Sequence, residues 1–205
     1  MKGFLNINKP KDVSSHDVVY RIRKRLRELD IFNLKVGHTG TLDPFAEGVI
    51  LISVGKATKL TSLLQNKTKS YIANIELGIQ TDTDDITGKI IKEQKVVGIS
   101  ESIVCATVKK YQGKIIQEPP IFSAIHVNGK RLYEYARNKM EINIPKIPKR
   151  EVNINKLELL EYFENRNIKI FVECSAGTYI RSLARDISQD LGVCGVLKEL
   201  TRISV

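Results

Sequence analysis

The spacing of hydrophobic residues changes at about residue 14 of the chain. Before that point Phe4, Leu5 and Ile7 stand among polar residues, which predicts a short strand ending at a Lys-Pro pair. After it, apolar residues recur at steps of three and four, which predicts an amphipathic helix with Ser14 and Ser15 as candidate N-caps. The apolar positions of this helix are Val18, Val19, Ile22, Leu26 and Leu29.

Further elements follow from the same patterns. The apolar run 49–54 predicts a buried strand, and alternation over 71–77 and over 168–174 predicts two more. Residues 100–111 and 182–191 carry helical patterns, the second ending before Gly192 as a helix C-terminus should. Because strands and helices do not alternate regularly, we predict an α+β fold with a mixed, largely antiparallel central sheet flanked by helices and loops.

Residues from about 117 to 150 differ from the rest of the chain. They contain four of the six prolines and many basic side chains, which indicates an excursion from the core with a short helix near 131–139. Long insertions in compact domains are more often functional than not. The acidic stretch 81–88 lacks the ligand spacing of a calcium loop, so we predict no metal there.

Length and charge narrow the possible functions. The 205 residues suit one domain, and 42% hydrophobic residues suffice for a packed core. A formal net charge of +10 favours a polyanionic partner such as nucleic acid. Five cations of the first helix form a candidate phosphate-contacting face, although a solvated charged face is the commoner explanation. They are Arg21, Arg23, Lys24, Arg25 and Arg27.

The cysteines and the apolar runs indicate the cellular compartment of the protein. Three widely separated cysteines without a C-x-x-C pair predict a reducing, cytoplasmic environment. The start of the chain has no apolar run of a signal peptide, and the longest apolar stretch is far shorter than a membrane span, so we expect no membrane association.

The loop GHTGTLDP at 37–44 is the best candidate for chemistry. Its glycines permit close backbone approach, Pro44 disfavours a helical Asp43, and the loop precedes a buried strand. From spacing alone, an Asx turn formed by Asp43 is the commoner explanation.

Five blocks of sequence, which follow one another in a fixed order, favour a chemical role for Asp43 over an Asx turn. The string VGHTGTLDPFAEGV at 36–49 resembles the catalytic motif of the TruB-type tRNA pseudouridine synthases. The first of the other blocks is GFLNINKP at 3–10 with VSS at 13–15, and the second is KSYIA at 69–73 with LG at 77–78 and TDTD at 81–84. The third is PPIFSA at 119–124 with VNG at 127–129 and LYEYA at 132–136, and the fourth is CSAGTYIRSL at 174–183.

The resemblance implies one pseudouridine synthase catalytic domain over 1–205, with a thumb-like insertion at about 117–150. It also implies that the PUA-type C-terminal domain of similar bacterial members is absent here. The expected reaction needs no metal or cofactor: the N-glycosidic bond of uridine 55 in the tRNA T-loop is cut, the base turns, and a C–C bond forms. Attack by the nucleophile at C1′ or at C6 remains open.

Site residues follow from matching positions. The resemblance implies Asp43 as nucleophile with Tyr71 and Arg181 as catalytic partners, Tyr71 being a stacking platform and candidate general base. It implies substrate contacts from His38, Tyr71, Tyr179 and Leu200. An arginine at a helix start opposes the helix dipole, which favours a functional role for Arg181. Lys9 and Pro10 match a loop that supports the site.

Two departures and two alternatives accompany the resemblance. Asp12 stands where the family usually has glycine, and Thr201-Arg202 replaces a pair of arginines. A tRNA-folding chaperone, whose binding role needs no catalysis, is the main alternative. A guide-RNA-directed synthase fits less well because such proteins need added domains and partners. We therefore expect a monomer that binds the tRNA T-arm without an obligatory protein partner.

Overall fold

A computed structural model describes residues 2–127, 129–137 and 147–205. Its strands are β1 (Gly3–Lys9), β2 (Val36–His38), β3 (Glu47–Val54), β4 (Lys69–Leu77), β5 (Ile79–Thr81), β6 (Ile90–Glu93), β7 (Gly113–Gln117), β8 (His126–Val127), β9 (Lys130–Arg131), β10 (Arg150–Phe163), β11 (Asn167–Cys174) and β12 (Gly195–Ser204). Its helices are α1 (Ser15–Glu28), α2 (Thr61–Gln65), α3 (Glu101–Lys109), α4 (Leu132–Arg137) and α5 (Ile180–Asp190), with a 3₁₀ turn at Gly55–Leu60.

Eight strands form the central sheet. The order is β1-β3-β12-β4-β11-β10-β7, and β2 adds to β3. Every pair is antiparallel except β12 with β3, where Thr201 and Arg202 run parallel to Glu47 and Gly48. The predicted α+β fold with a mixed, largely antiparallel sheet is confirmed.

Two hydrophobic clusters cover this sheet. One joins the apolar stripe of α1, including Val19 and Leu26, to Ile50 and Ile52 of β3. The larger one joins α3 and α5 to the central strands β4, β11 and β12. The alternation that predicted β4 and β11 therefore marks their buried face.

Helix boundaries differ from the predicted ones in detail. Ser14 alone caps α1: its hydroxyl accepts the Asp17 amide while the Asp17 carboxylate accepts the Ser14 amide, a complete capping box. Ser15 is instead the first helical residue. Helix α5 begins two residues before the predicted start, at Ile180, so Arg181 lies in its first turn.

The segment between β7 and β10 leaves the sheet and returns to it. Gln117 and Arg150 are partners in the β7–β10 ladder, so residues 118–149 connect two neighbouring strands. Within this segment β8 pairs with β9, and α4 follows. The end of the predicted helix, at 138–139, lies outside the described residues, and the thumb-like role of the insertion stays a prediction.

Candidate active site

The loop between β2 and β3 carries Asp43 to a cavity of about 290 Å³. Five of the six residues predicted for the site line this cavity. They are Asp43, Tyr71, Tyr179, Arg181 and Leu200. They come from the loop, from β4, from the N-terminus of α5 and from β12, so the cavity forms only when distant segments of the chain pack together.

Asp43 and Arg181 form a two-bond ion pair across the cavity. The Arg181 Nε lies 2.9 Å from Asp43 Oδ2, and an Nη lies 3.4 Å from Oδ1. The Arg181 side chain is 6% exposed and that of Asp43 is 32% exposed. The carboxylate is therefore held on one side by a buried guanidinium and is open to the cavity on the other.

Arg181 is itself fixed from several directions. Its guanidinium donates to the backbone carbonyls of Thr83 at 3.0 Å and Phe122 at 3.1 Å. Asp85 lies 3.8 Å from its Nε. The acidic turn and the start of the excursion thus orient the arginine, a role that neither segment revealed in the sequence.

Tyr71 is buried in the wall of the cavity. Desolvation raises the pKa of its hydroxyl to about 12, while the nearby charge of Arg202 acts in the opposite direction. At neutral pH the phenolate fraction is on the order of 10⁻⁵, so the hydroxyl stays protonated. The free protein therefore presents a neutral phenol ring in the wall of the cavity.

Gln117 fixes the backbone of Tyr179. Its side-chain amide donates to the Tyr179 carbonyl at 3.0 Å and its oxygen accepts the Tyr179 amide at 2.9 Å. The guanidinium of Arg150 lies 5.4 Å from the centre of the Tyr179 ring, a cation–π contact. The buried position of Gln117 at the end of β7 had no sequence signal.

His38 is the predicted site residue that the structure leaves outside the cavity lining. It lies on β2 opposite Ile52, and its Nδ1 is buried without a described hydrogen-bond partner. Burial lowers the pKa of the imidazole, and the charges of Arg202 and His16 lower it further. The ring is therefore neutral at physiological pH.

Lys9 and Asp12 hold the loop just after Asp43. The fully buried Lys9 ammonium donates to the carbonyls of Pro10, Val13 and Pro44, and the Asp12 amide also donates to Pro44. Asp12 has φ +62°, the left-handed conformation that glycine adopts most readily and aspartate tolerates. Asp12 therefore occupies a left-handed turn position that glycine could also adopt.

The described residues contain no helix with the length and apolarity of a membrane span. Among those same residues, no three His, Cys, Asp or Glu side chains are grouped as metal ligands.

Comparison with known proteins places this chain in a family. Residues 24–180 match the sequence profile described as TruB family pseudouridylate synthase, N-terminal domain. The chain belongs to the TruB family. A TruB-family relative named tRNA pseudouridine synthase B from Lactobacillus gasseri is 45% identical over all of the chain and 68% of its own length. A protein of the same name from Fusobacterium nucleatum is 44% identical with the same coverage.

Solved structures agree with this TruB-family assignment. A chain from a Cbf5–Nop10–Gar1 complex superposes with a TM-score of 0.72 at 30% identity, over 98% of this chain and 47% of that one. A chain from an H/ACA ribonucleoprotein bound to a substrate RNA containing 2′-deoxyuridine gives 0.68 at 28% identity, over 98% and 46%. The predicted pseudouridine synthase fold is therefore confirmed.

Proposed function

We propose that this TruB-family enzyme converts uridine 55 in the T-loop of tRNA to pseudouridine, with Asp43 as the nucleophile. The observation that carries the proposal is the buried arginine that holds a cavity-facing carboxylate by two bonds. The relatives named tRNA pseudouridine synthase B supply the substrate class.

The ion pair suits a nucleophile. The guanidinium of Arg181 is always protonated, so it stabilises the negative charge of Asp43 without competing for its proton. One carboxylate oxygen can attack either C1′, displacing the uracil, or C6, forming a base adduct. After the base has turned, C5 bonds to C1′ as the bond between Asp43 and C1′ breaks; in the C6 route the glycosidic bond breaks before C5 bonds to C1′, and the bond between Asp43 and C6 breaks last. C5 gives up its proton to water and N1 takes one up from water, so that no atom is gained or lost overall.

A uridine in a folded T-loop must be flipped to reach this carboxylate. Flipping costs a few kcal/mol of unstacking, which contacts in the cavity must offset. Tyr71 and Leu200 offer apolar surfaces for the base. We assign Tyr71 the stacking role, and its candidate role as general base stays a prediction.

The charge of the protein supports an RNA partner. The net charge is +10, and Arg21, Lys24, Arg25 and Arg27 are exposed along α1. Clustered cations release counterions from phosphates and so favour RNA binding. We still predict that the protein is a monomer, that it binds the T-arm of tRNA and that it acts in the cytoplasm.

The same cations would also serve a tRNA-folding chaperone, which is the second candidate function. Asp43→Asn separates the two, because asparagine keeps the shape of the side chain but is a very weak nucleophile. We expect tritium release from tRNA labelled at uridine C5 to fall by at least about 10⁴-fold, while filter binding of tRNA stays within about threefold of the wild type.

Asp30→Asn is the matched control, since Asp30 lies in an exposed turn after α1. It should release tritium at the wild-type rate. A tRNA with cytidine at position 55 tests the position: release should stop. Undiminished release by Asp43→Asn would refute the nucleophile, and tight binding by an inactive wild type would favour the chaperone.

A further inference from the structure

Arg202 is a buried cation beside the Asp43 loop. Its whole residue is 1% exposed, and it lies on β12 between Tyr71 of β4 and Gly48 of β3. The approach of β3 is so close that a Cβ at Gly48 would lie 2.2 Å from the Arg202 carbonyl oxygen. This arginine is therefore embedded in the centre of the sheet.

The guanidinium of Arg202 donates to three backbone carbonyls and also hydrogen-bonds to the Tyr71 side chain. Nε donates to Val49 at 2.7 Å, Nη1 to Thr41 at 3.2 Å and Nη2 to Gly40 at 3.2 Å. It has no ion pair with a carboxylate in the described part of the chain. Burying a charge without an oppositely charged partner costs several kcal/mol of folding free energy, so a purely structural role does not explain an arginine at this position.

The three carbonyls are informative because two of them lie just before Asp43. The other peptide groups of the loop have different partners. Ser15 Oγ donates to the Leu42 carbonyl at 2.9 Å and accepts its amide at 2.8 Å. The Asp43 carbonyl accepts the Ala46 amide, and Lys9 holds Pro44. Arg202 thus supplies two of the fixed points on the N-terminal side of Asp43, at Gly40 and Thr41, beyond the Leu42 peptide that Ser15 holds.

We propose that Arg202 is a positioning residue that sets the orientation of the Asp43 carboxylate through the backbone at Gly40 and Thr41. This inference rests on the proposed function where its effect is measured as a reaction rate. Because Arg202 also lies opposite Tyr71, the same side chain aligns the two walls that the substrate base would contact.

The test compares Arg202→Lys and Arg202→Gln with the wild type. Lysine keeps the charge, but its single ammonium cannot span three carbonyls. We expect the single-turnover rate at saturating tRNA to fall by about 10²-fold, the effect of misplacing a reacting group by about 1 Å. The Kd for tRNA should stay within about threefold. Arg166→Met, which removes an exposed arginine that pairs with Glu76 and does not line the cavity, is the control and should keep the wild-type rate.

A second measurement does not depend on activity. Hydrogen exchange of peptides covering 39–46 should become at least tenfold faster in Arg202→Lys, while peptides of β10 and β11 keep their protection. If the wild type failed to modify tRNA, the proposed function would fall and this exchange result would still decide the role of Arg202.

Three outcomes would overturn the inference. One is a folded Arg202→Lys with the wild-type rate, and another is unchanged exchange over 39–46. The third is failure of both variants to fold, which would assign Arg202 to stability alone.

Discussion

Replacing Arg181 by methionine removes the cation that Asp43 faces and keeps the length and apolar volume of the side chain. Loss of one partner from a buried ion pair costs about 3–5 kcal/mol. Here the Asp43 side chain is about one-third exposed and can regain water, while Asp85 keeps hydrogen bonds from Thr83 and Thr87. We therefore expect the lower end, about 3 kcal/mol of unfolding free energy.

Urea unfolding followed by circular dichroism measures this loss. With a slope of about 2 kcal/mol per molar urea, the midpoint should fall by about 1.5 M. The double variant Arg181→Met with Asp43→Asn lacks the unpaired charge, so its loss should be smaller than the sum of the two single losses by about 1–2 kcal/mol.

Arg166→Met is again the control. The Arg166 side chain is 43% exposed, and Glu76 keeps a second partner in Lys198, so the loss should be at most about 1 kcal/mol. A midpoint for Arg181→Met no lower than that of this control, or strict additivity with Asp43→Asn, would refute the view that the pair is energetically coupled.

Two further substitutions test the burial of Tyr71 and the close packing of β3 against Arg202. Burial raises the Tyr71 pKa to about 12 in the folded state, so the unfolded state loses its proton first and stability should fall as pH rises from 10 to 12. Tyr71→Phe should make this fall shallower in urea unfolding at stepwise pH, and an identical pH dependence would contradict the burial argument. Gly48→Ala should cost at least about 2 kcal/mol, since φ is +109° and the new Cβ would overlap Arg202. Gly98→Ala, with φ +75° and open space around it, should lose only about 1 kcal/mol; equal losses would show that crowding is unimportant.

Local patterns predicted much of the fold because several elements bury one regular face. Helix α1 and strands β3, β4 and β11 all follow this rule. β10 and β12 were missed although they are 14 and 10 residues long. Each contains two register shifts, and every such irregularity breaks the two-residue period on which a strand prediction depends.

The candidate site also combines residues that the sequence identified with residues that it did not identify. The family resemblance identified Asp43, the two tyrosines, Arg181 and Leu200, and these five residues do line one cavity. The helix-dipole argument for Arg181 agrees with its position in the first turn of α5. The supports of the site had no such signal: Gln117 and Ser15 are common polar residues whose importance comes from the backbone groups they face.

The amphipathic elements and the family motifs can be recognised from neighbouring residues alone, and the excess of positive charge from composition. Which of the 33 lysines and arginines are buried depends on the packing of the folded chain. Asp43 and Arg181 are 138 positions apart, and Arg202 is 161 positions from the loop carbonyl of Thr41. Whether a cation is removed from water depends on every segment packed around it, and that information is absent from any local stretch of the chain.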